Sequence, residues 1–93
     1  MTTFDPMQKQ VRSILLSEWD PIGVRDVPAA QDEYDAYVVP LVHMLLAGQQ
    51  GADVAARLLE IETQSMGLRG DAARAERVAR RLIACAEQAR SRR

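Results

Sequence analysis

Six of the thirteen acidic residues lie in residues 18–37, together with the only Trp and both Tyr residues. Clustered carboxylates can act as general acids and bases or bind a divalent cation. Their spacing here matches neither an EF-hand loop nor the Glu-x-x-His pattern of di-metal helical bundles. Aromatic side chains among acids are instead typical of a docking surface for a basic protein. The predicted protein-binding residues are Trp19, Asp20, Asp32, Glu33, Tyr34, Asp35 and Tyr37.

The same cluster also fits an architectural role. In that interpretation Trp19 and the two tyrosines fix a loop to the core, and the acids are helix caps or solvated side chains. Asp20-Pro21 turns the chain, and Gly23 permits a positive φ. The sequence leaves both interpretations open.

No other residue pattern indicates catalysis. His43 and Cys85 are each the only residue of their type, and nothing in the spacing places them together. His43 is expected to be partly exposed and Cys85 to be a small core residue. The chain has no phosphate-binding Gly loop, nucleophile motif or metal-ligand spacing. It is therefore predicted not to be an enzyme and to bind no cofactor.

A basic stripe is the third feature that could bind a ligand. Residues 69–93 carry eight Arg and three acids, whereas residues 1–68 carry ten acids and four bases. Arg74, Arg77 and Arg81 are spaced by three and four, so on a helix they share one face. This pattern allows nucleic-acid binding as an alternative function. It also fits a solvated face that pairs with acids of the same chain, and no aromatic residue after Tyr37 offers a stacking platform.

The composition predicts one small globular domain that spans residues 1–93. An apolar fraction of 47% and a charged fraction of 27% argue against global disorder. The longest apolar run, residues 36–46, is interrupted by His43 and is too short to cross a bilayer. The first residues lack the pattern of a signal peptide. A cytoplasmic protein is expected.

The periodicity predicts an all-α fold, a small four-helix and mostly antiparallel bundle. The first helix is expected at residues 6–18 with Asp5 as N-cap, followed by an ordered loop whose apolar side chains fold onto the core. Those loop side chains are Ile22, Val24 and Val27. The second helix is expected from residue 32 or 33 to residue 47, ended by Gly48. Pro28 offers an alternative start four residues earlier, and the sequence leaves both starts open.

The third helix is expected to be capped by Asp53 and to end at Gly67. The fourth is expected from residue 72 towards residue 90, with residues 91–93 as a frayed basic tail. The second helix is apolar nearly all round, so it is either central or contacts a second molecule. Self-association as a homodimer is thus a further alternative.

Two short strings resemble a known family. They are Leu-Leu-Ser-Glu-Trp-Asp-Pro-Ile-Gly-Val at residues 15–24 and Asp-Glu-Tyr-Asp-Ala-Tyr at residues 32–37. The chain resembles, over residues 10–68, short uncharacterised bacterial proteins that carry a Trp-Asp-Pro-x-Gly-Val and Glu-Tyr-Asp signature. The resemblance implies a small all-helical domain of unknown function and supplies no catalytic residues. Taken together, the sequence predicts a small intracellular protein-binding module, similar in role to immunity or adaptor proteins, with an unidentified basic protein as partner.

Overall fold

A computed structural model describes residues 4–21, 23, 26–27, 32 and 34–91. Within these residues the chain forms four α-helices and no strand, so the all-α prediction is confirmed. The helices are α1 (Phe4–Ile14), α2 (Asp35–Leu46), α3 (Gly51–Glu60) and α4 (Ala72–Ser91). Two of them continue into a five-residue π-helical turn: α1 into Leu15–Trp19 and α3 into Ile61–Ser65. No helix of the described part is long and apolar enough to cross a membrane.

All four helices and both π-helical turns contribute to one core. α3 packs most extensively on α4, and α1 packs on both α2 and α4. Gln10 of α1 meets Cys85, and Glu18 in the following π-helical turn meets Arg81. The contacts of this continuous segment with α4 therefore run in opposite order along the two segments. The fully buried side chains of this core include Met7, Val11, Leu15, Trp19, Tyr34, Leu41, Leu45, Leu58, Ile61 and Leu82.

The helix starts differ from the predicted ones. α1 begins at Phe4, so Asp5 lies inside the helix and is not its N-cap. Pro6 is then the third helical residue, where its missing N–H costs nothing because the first four N–H groups of a helix have no intrahelical partner. In α3 the N-cap is Gln50, whose carbonyl accepts the N–H of Asp53 at 3.0 Å. Asp53 therefore lies in the first turn and does not cap it.

The C-terminal end of α2 and the start of α4 follow local signals closely, whereas α2 begins at Asp35 and not at residue 32 or 33 as predicted. Gly48 adopts a φ of 77°, and its N–H bonds to the carbonyl of Leu45 at 3.1 Å. The N–H of Gln49 bonds to the carbonyl of Met44 at 3.1 Å, which completes a Schellman motif. At α4, Asp71 Oδ1 accepts the N–H of Arg74 at 3.0 Å, as expected of an N-cap. These boundaries confirm the predicted stop at Gly48 and the predicted start at residue 72.

The loop after the first π-helical turn is only partly described. Its first residue, Asp20, is left-handed with φ 32°, and its N–H bonds to the carbonyl of Leu15 at 2.7 Å. Val27 is 48% exposed, so the prediction that it folds onto the core is wrong. Ile22 and Val24 lie outside the described residues. Towards the other end of the chain, Ser91 is still helical, so the prediction that this residue is frayed is wrong. Arg92 and Arg93 lie outside the described residues.

Candidate functional site

The two π-helical turns meet through a hydrogen bond between Trp19 and Glu62. The indole N–H of Trp19 donates to Glu62 Oε2 at 3.0 Å, across 43 residues of sequence. Trp19 is 2% exposed and Glu62 is completely buried. A π-helical turn shifts the side-chain register of a helix by one residue, and such turns recur at functional sites. Here the two turns place the indole N–H of Trp19 opposite the carboxylate of Glu62.

Arg74 completes this buried arrangement from α4. Its Nη2 lies 2.7 Å from Glu62 Oε1, so both oxygens of the carboxylate have a partner. A buried charge is tolerated only when it is paired and hydrogen-bonded. The Trp19–Glu62–Arg74 triad therefore ties α1, α3 and α4 together at one point. The Nε of Arg74 is buried without a hydrogen-bond partner in the described part of the chain.

Tyr34 is also an interior residue. It is fully buried, and its hydroxyl donates to Asp20 Oδ1 at 2.8 Å. Its ring centroid lies 5.3 Å from that of Trp19, and the ring of Tyr37 meets Trp19 edge-on at 6.5 Å. Such tilted and edge-to-face pairs are the favoured aromatic geometries. Trp19 and Tyr34 are therefore buried, as the architectural interpretation expects, and neither side chain is exposed to a partner in this structure.

The exposed part of the predicted surface lies at the start of α2. Asp32 and Asp35 are both exposed, and both approach the same guanidinium: Arg12 lies 3.6 Å from Asp32 and 2.8 Å from Asp35. Tyr37 and Asp20 are half-buried, and Glu33 lies outside the described residues. Of the six predicted residues that the structure describes, Asp32 and Asp35 are the exposed ones.

An apolar surface continues from these carboxylates along α2. Val39 and Leu46 are each 40% exposed and stand seven residues apart, so they share one side of the helix. Residues 36–52 contain no Asp, Glu, Lys or Arg. The outward face of α2 comprises Ala36, Val39, His43, Leu46 and Ala47, all of them exposed. Exposure of this side agrees with the predicted position of His43 and with a helix that is apolar nearly all round.

The predicted arginine stripe is divided by ion pairs. Arg74 is directed inward to Glu62, and Arg81 pairs with Glu18 at 3.1 Å. Arg77 and Arg80 are exposed and form no ion pair with other described residues. The three predicted arginines consequently do not present one continuous free cationic face, and the sequence interpretation is corrected on this point.

Cys85 and His43 are not brought together. The Cys85 thiol donates to Gln10 Oε1 at 2.8 Å, whereas His43 lies on the outward face of α2. Burial raises the pKa of the Cys85 thiol, although nearby Arg81 acts to lower it. A thiol that stays protonated is a poor nucleophile. The described residues also contain no cluster of three or more His, Cys, Asp or Glu side chains able to hold a metal ion.

Glu62 is the polar residue that sequence analysis did not single out. It stands four residues after Leu58, in register with the apolar face that also contains Val54. A charged residue at a core position of an amphipathic helix needs a buried partner. That conflict with the apolar pattern was the available signal.

Comparison with known proteins found no match for this chain among family models, curated proteins or solved structures. The resemblance to short bacterial helical proteins therefore stays a prediction.

Proposed function

We propose that this chain is a small protein-binding module that docks its partner through the outward face of α2 and the carboxylates at its N-terminal end. The observation that carries the proposal is the exposure of Val39 and Leu46 on one side of a helix that has no charged residue after Asp35. Recognition of an amphipathic helix by an apolar surface uses this kind of spacing. The role is that of an adaptor or immunity-like protein in the cytoplasm, without catalysis or a cofactor.

Two features define the partner surface that would fit. Next to Val39, α1 and α2 form a shallow cavity of about 290 Å³ whose lining includes Lys9, Arg12 and Asp35. An apolar side chain could enter it beside Val39. Asp32 and Asp35 carry one net negative charge after pairing with Arg12, because two carboxylates share one guanidinium. A partner with a basic residue at this end and apolar residues along the helix would match both features.

The test compares two Leu→Glu variants in affinity capture. Leu46→Glu introduces a charge on the outward face of α2. Leu68→Glu makes the same change at another exposed Leu, which is 36% exposed and lies after α3. Capture from native lysate at moderate salt should recover a protein with wild type and with Leu68→Glu, and lose it with Leu46→Glu. Equal capture by all three proteins would contradict the proposal.

Nucleic-acid binding through α4 is the alternative function. It is supported by Arg77 and Arg80, which are exposed. A nuclease-treated arm of the same capture distinguishes the two functions, because partners held through nucleic acid are lost there. Binding through arginine–phosphate contacts would also fall steeply with salt, by about one unit of logarithmic slope per contact.

A further inference from the structure

We infer that the groove between α3 and α4 binds a zwitterionic small molecule with an apolar tail, of the class of free α-amino acids with a large apolar side chain. This inference goes beyond the proposed function, because no residue that lines the groove belongs to α2. The groove has a volume of about 490 Å³, and small-molecule sites usually enclose about 300–1,000 Å³. Seven of its nine lining residues are Gly, Ala or Leu, and the other two are Glu76 and Arg80. A mostly apolar concavity with a few charged groups is the usual form of a ligand site.

Alanine side chains keep the groove open between two closely packed helices. Ala55 and Ala75, which are 9% and 1% exposed, form its floor. Ala52, Ala56 and Ala72 are exposed at its sides. Because each of these residues contributes a single methyl group, the described side chains leave the space above the floor unfilled. This apolar surface can bury the tail of a ligand.

The side chains of Glu76 and Arg80 are both available to a ligand. They stand four residues apart on α4 with the acid first, which is the favourable order for an ion pair along a helix. Both are exposed, and neither side chain forms an ion pair or a hydrogen bond with another described residue. The groove therefore offers one anionic and one cationic group, neither of which is neutralised within the described part of the chain.

These two charges lie away from the apolar end of the groove. The lining extends over residues 51–59 of α3 and residues 72–80 of α4. Leu59 lies beside the start of α4, because a Cβ added to Gly70 would stand 2.9 Å from Leu59 Cδ1. Leu59 and Ala72 thus form an apolar end, and Arg80 lies about 12 Å further along α4 at a rise of about 1.5 Å per residue. The groove is therefore amphipathic along its length.

The pair of opposite charges selects the class of ligand. A carboxylate alone would pair with Arg80 and be repelled by Glu76, and an amine alone would meet the reverse. A zwitterion satisfies both, because its carboxylate binds the guanidinium while its ammonium binds the glutamate. An α-amino acid carries both groups on one carbon atom, and helix positions four apart, with Cβ atoms about 5–6 Å from each other, let both side chains reach them. Its apolar side chain then lies along the alanine floor towards Leu59.

Titration with L-phenylalanine and L-leucine, followed by backbone amide chemical shifts in nuclear magnetic resonance spectra, tests the site. Saturable shifts should be concentrated in residues 51–59 and 72–80. Phenylacetate lacks the ammonium and phenethylamine lacks the carboxylate, so each should bind at least about fivefold more weakly than L-phenylalanine. Absence of saturable shifts in these residues with both amino acids would overturn the inference. Equal binding of phenylacetate or phenethylamine would overturn the zwitterion as the ligand.

Matched variants test the residues. Glu76→Gln and Arg80→Gln should each weaken amino-acid binding at least about fivefold, whereas Arg77→Gln should leave it unchanged. Arg77 is the control because it is exposed on the same helix and does not line the groove. Ala56→Leu fills the groove and should abolish binding, whereas Ala73→Leu changes an exposed alanine outside it and should not. Amide spectra of the ligand-free variants establish that each is folded, and equal affinities of wild type, Glu76→Gln and Arg80→Gln would overturn the inference.

Discussion

The indole N–H of Trp19 donates to a carboxylate oxygen of Glu62, and both side chains are excluded from solvent. Because Arg74 binds the other oxygen, both carboxylate oxygens of Glu62 have a partner in an otherwise apolar core. Its members come from the π-helical turn after α1, the π-helical turn after α3, and α4. The carboxylate of Glu62 therefore connects both helix junctions to α4.

Removal of the Glu62 carboxylate should be strongly destabilising. Glu62→Ala leaves the Trp19 N–H and the Arg74 guanidinium without their shared partner and is expected to cost about 3–5 kcal/mol of unfolding free energy. Glu62→Gln keeps an oxygen for Trp19 and should cost less. Urea denaturation followed by circular dichroism measures both changes. A Glu62→Ala protein as stable as wild type would show that the triad contributes no stability.

The two arginine ion pairs of α4 should differ in strength. Arg74→Ala leaves Glu62 buried and without its cation, so we expect the free energy of unfolding to fall by about 2–3 kcal/mol. This loss lies at the lower end of, or below, the roughly 3–5 kcal/mol usual for a broken buried pair, because the Arg74 side chain is 25% exposed. Arg81→Ala breaks the pair with Glu18, in which the side chains are 56% and 31% exposed, and should cost at most about 1 kcal/mol. Paired denaturant titrations compare them. Equal losses would contradict the assigned difference in burial.

The stability of the fold should depend on the hydroxyl of Tyr34 and not on the hydroxyl of Tyr37. Tyr34→Phe removes the donor to Asp20 Oδ1 and leaves that acceptor in a half-buried site, so we expect a loss of about 1 kcal/mol. Tyr37→Phe is the matched control, with an expected change within about 0.5 kcal/mol. Thermal and urea unfolding of the two variants test the difference. The reverse ranking would indicate that the Tyr37 hydroxyl has the larger role.

Gly70 should tolerate Ala less well than Gly67. Both glycines have a positive φ, 87° and 66°, so each Gly→Ala change carries backbone strain of about 1–2 kcal/mol. At Gly70 the new Cβ would also lie 2.9 Å from side-chain carbons of Leu59 and Thr63, whereas at Gly67 it meets nothing within 4 Å. Thr63 cannot rotate freely because its hydroxyl donates to the carbonyl of Leu59 at 3.0 Å. Gly70→Ala should therefore lower the free energy of unfolding by about 1 kcal/mol more than Gly67→Ala. An equal loss in the two variants would show that Leu59 and Thr63 can move away from the new Cβ without destabilising the fold.

Cys85 should react slowly in the native protein. Burial raises the pKa of its thiol, so the folded state holds the proton more tightly than the unfolded chain does. Its contribution to stability is fully present below about pH 8.5 and is lost as pH rises through the raised folded pKa. Disulfide-exchange reagents at pH 8 should therefore modify the urea-unfolded chain much faster than the native one. The difference in stability between wild type and Cys85→Ala should be constant below this pH and shrink above it. Fast modification of the Cys85 thiol in the native protein would contradict its burial.

The amino-acid sequence alone determined the helical class and the boundaries set by local chemistry. Gly48 ends α2 and Asp71 caps α4 because a left-handed glycine and an N-cap carboxylate act on backbone groups within a few residues. The starts of α1 and α3 were misplaced because Asp5 and Asp53 are also favourable inside a first turn, where the helix dipole attracts negative charge. Such short-range signals distinguish a helix from a loop well, and they locate its first residue less well.

Only the tertiary structure decided which polar residues are buried and which are free. Trp19 meets Glu62 across 43 residues, and Arg81 meets Glu18 across 63. No local pattern specifies these pairs, because they depend on how four helices pack and on the register shift that each π-helical turn introduces. The packing buried Trp19 and Tyr34, used two of the three predicted stripe arginines in ion pairs, and left the charge-free side of α2 exposed. The exposure of this side of α2 was thereby decided by burial, which is a property of the whole fold and not of any single segment.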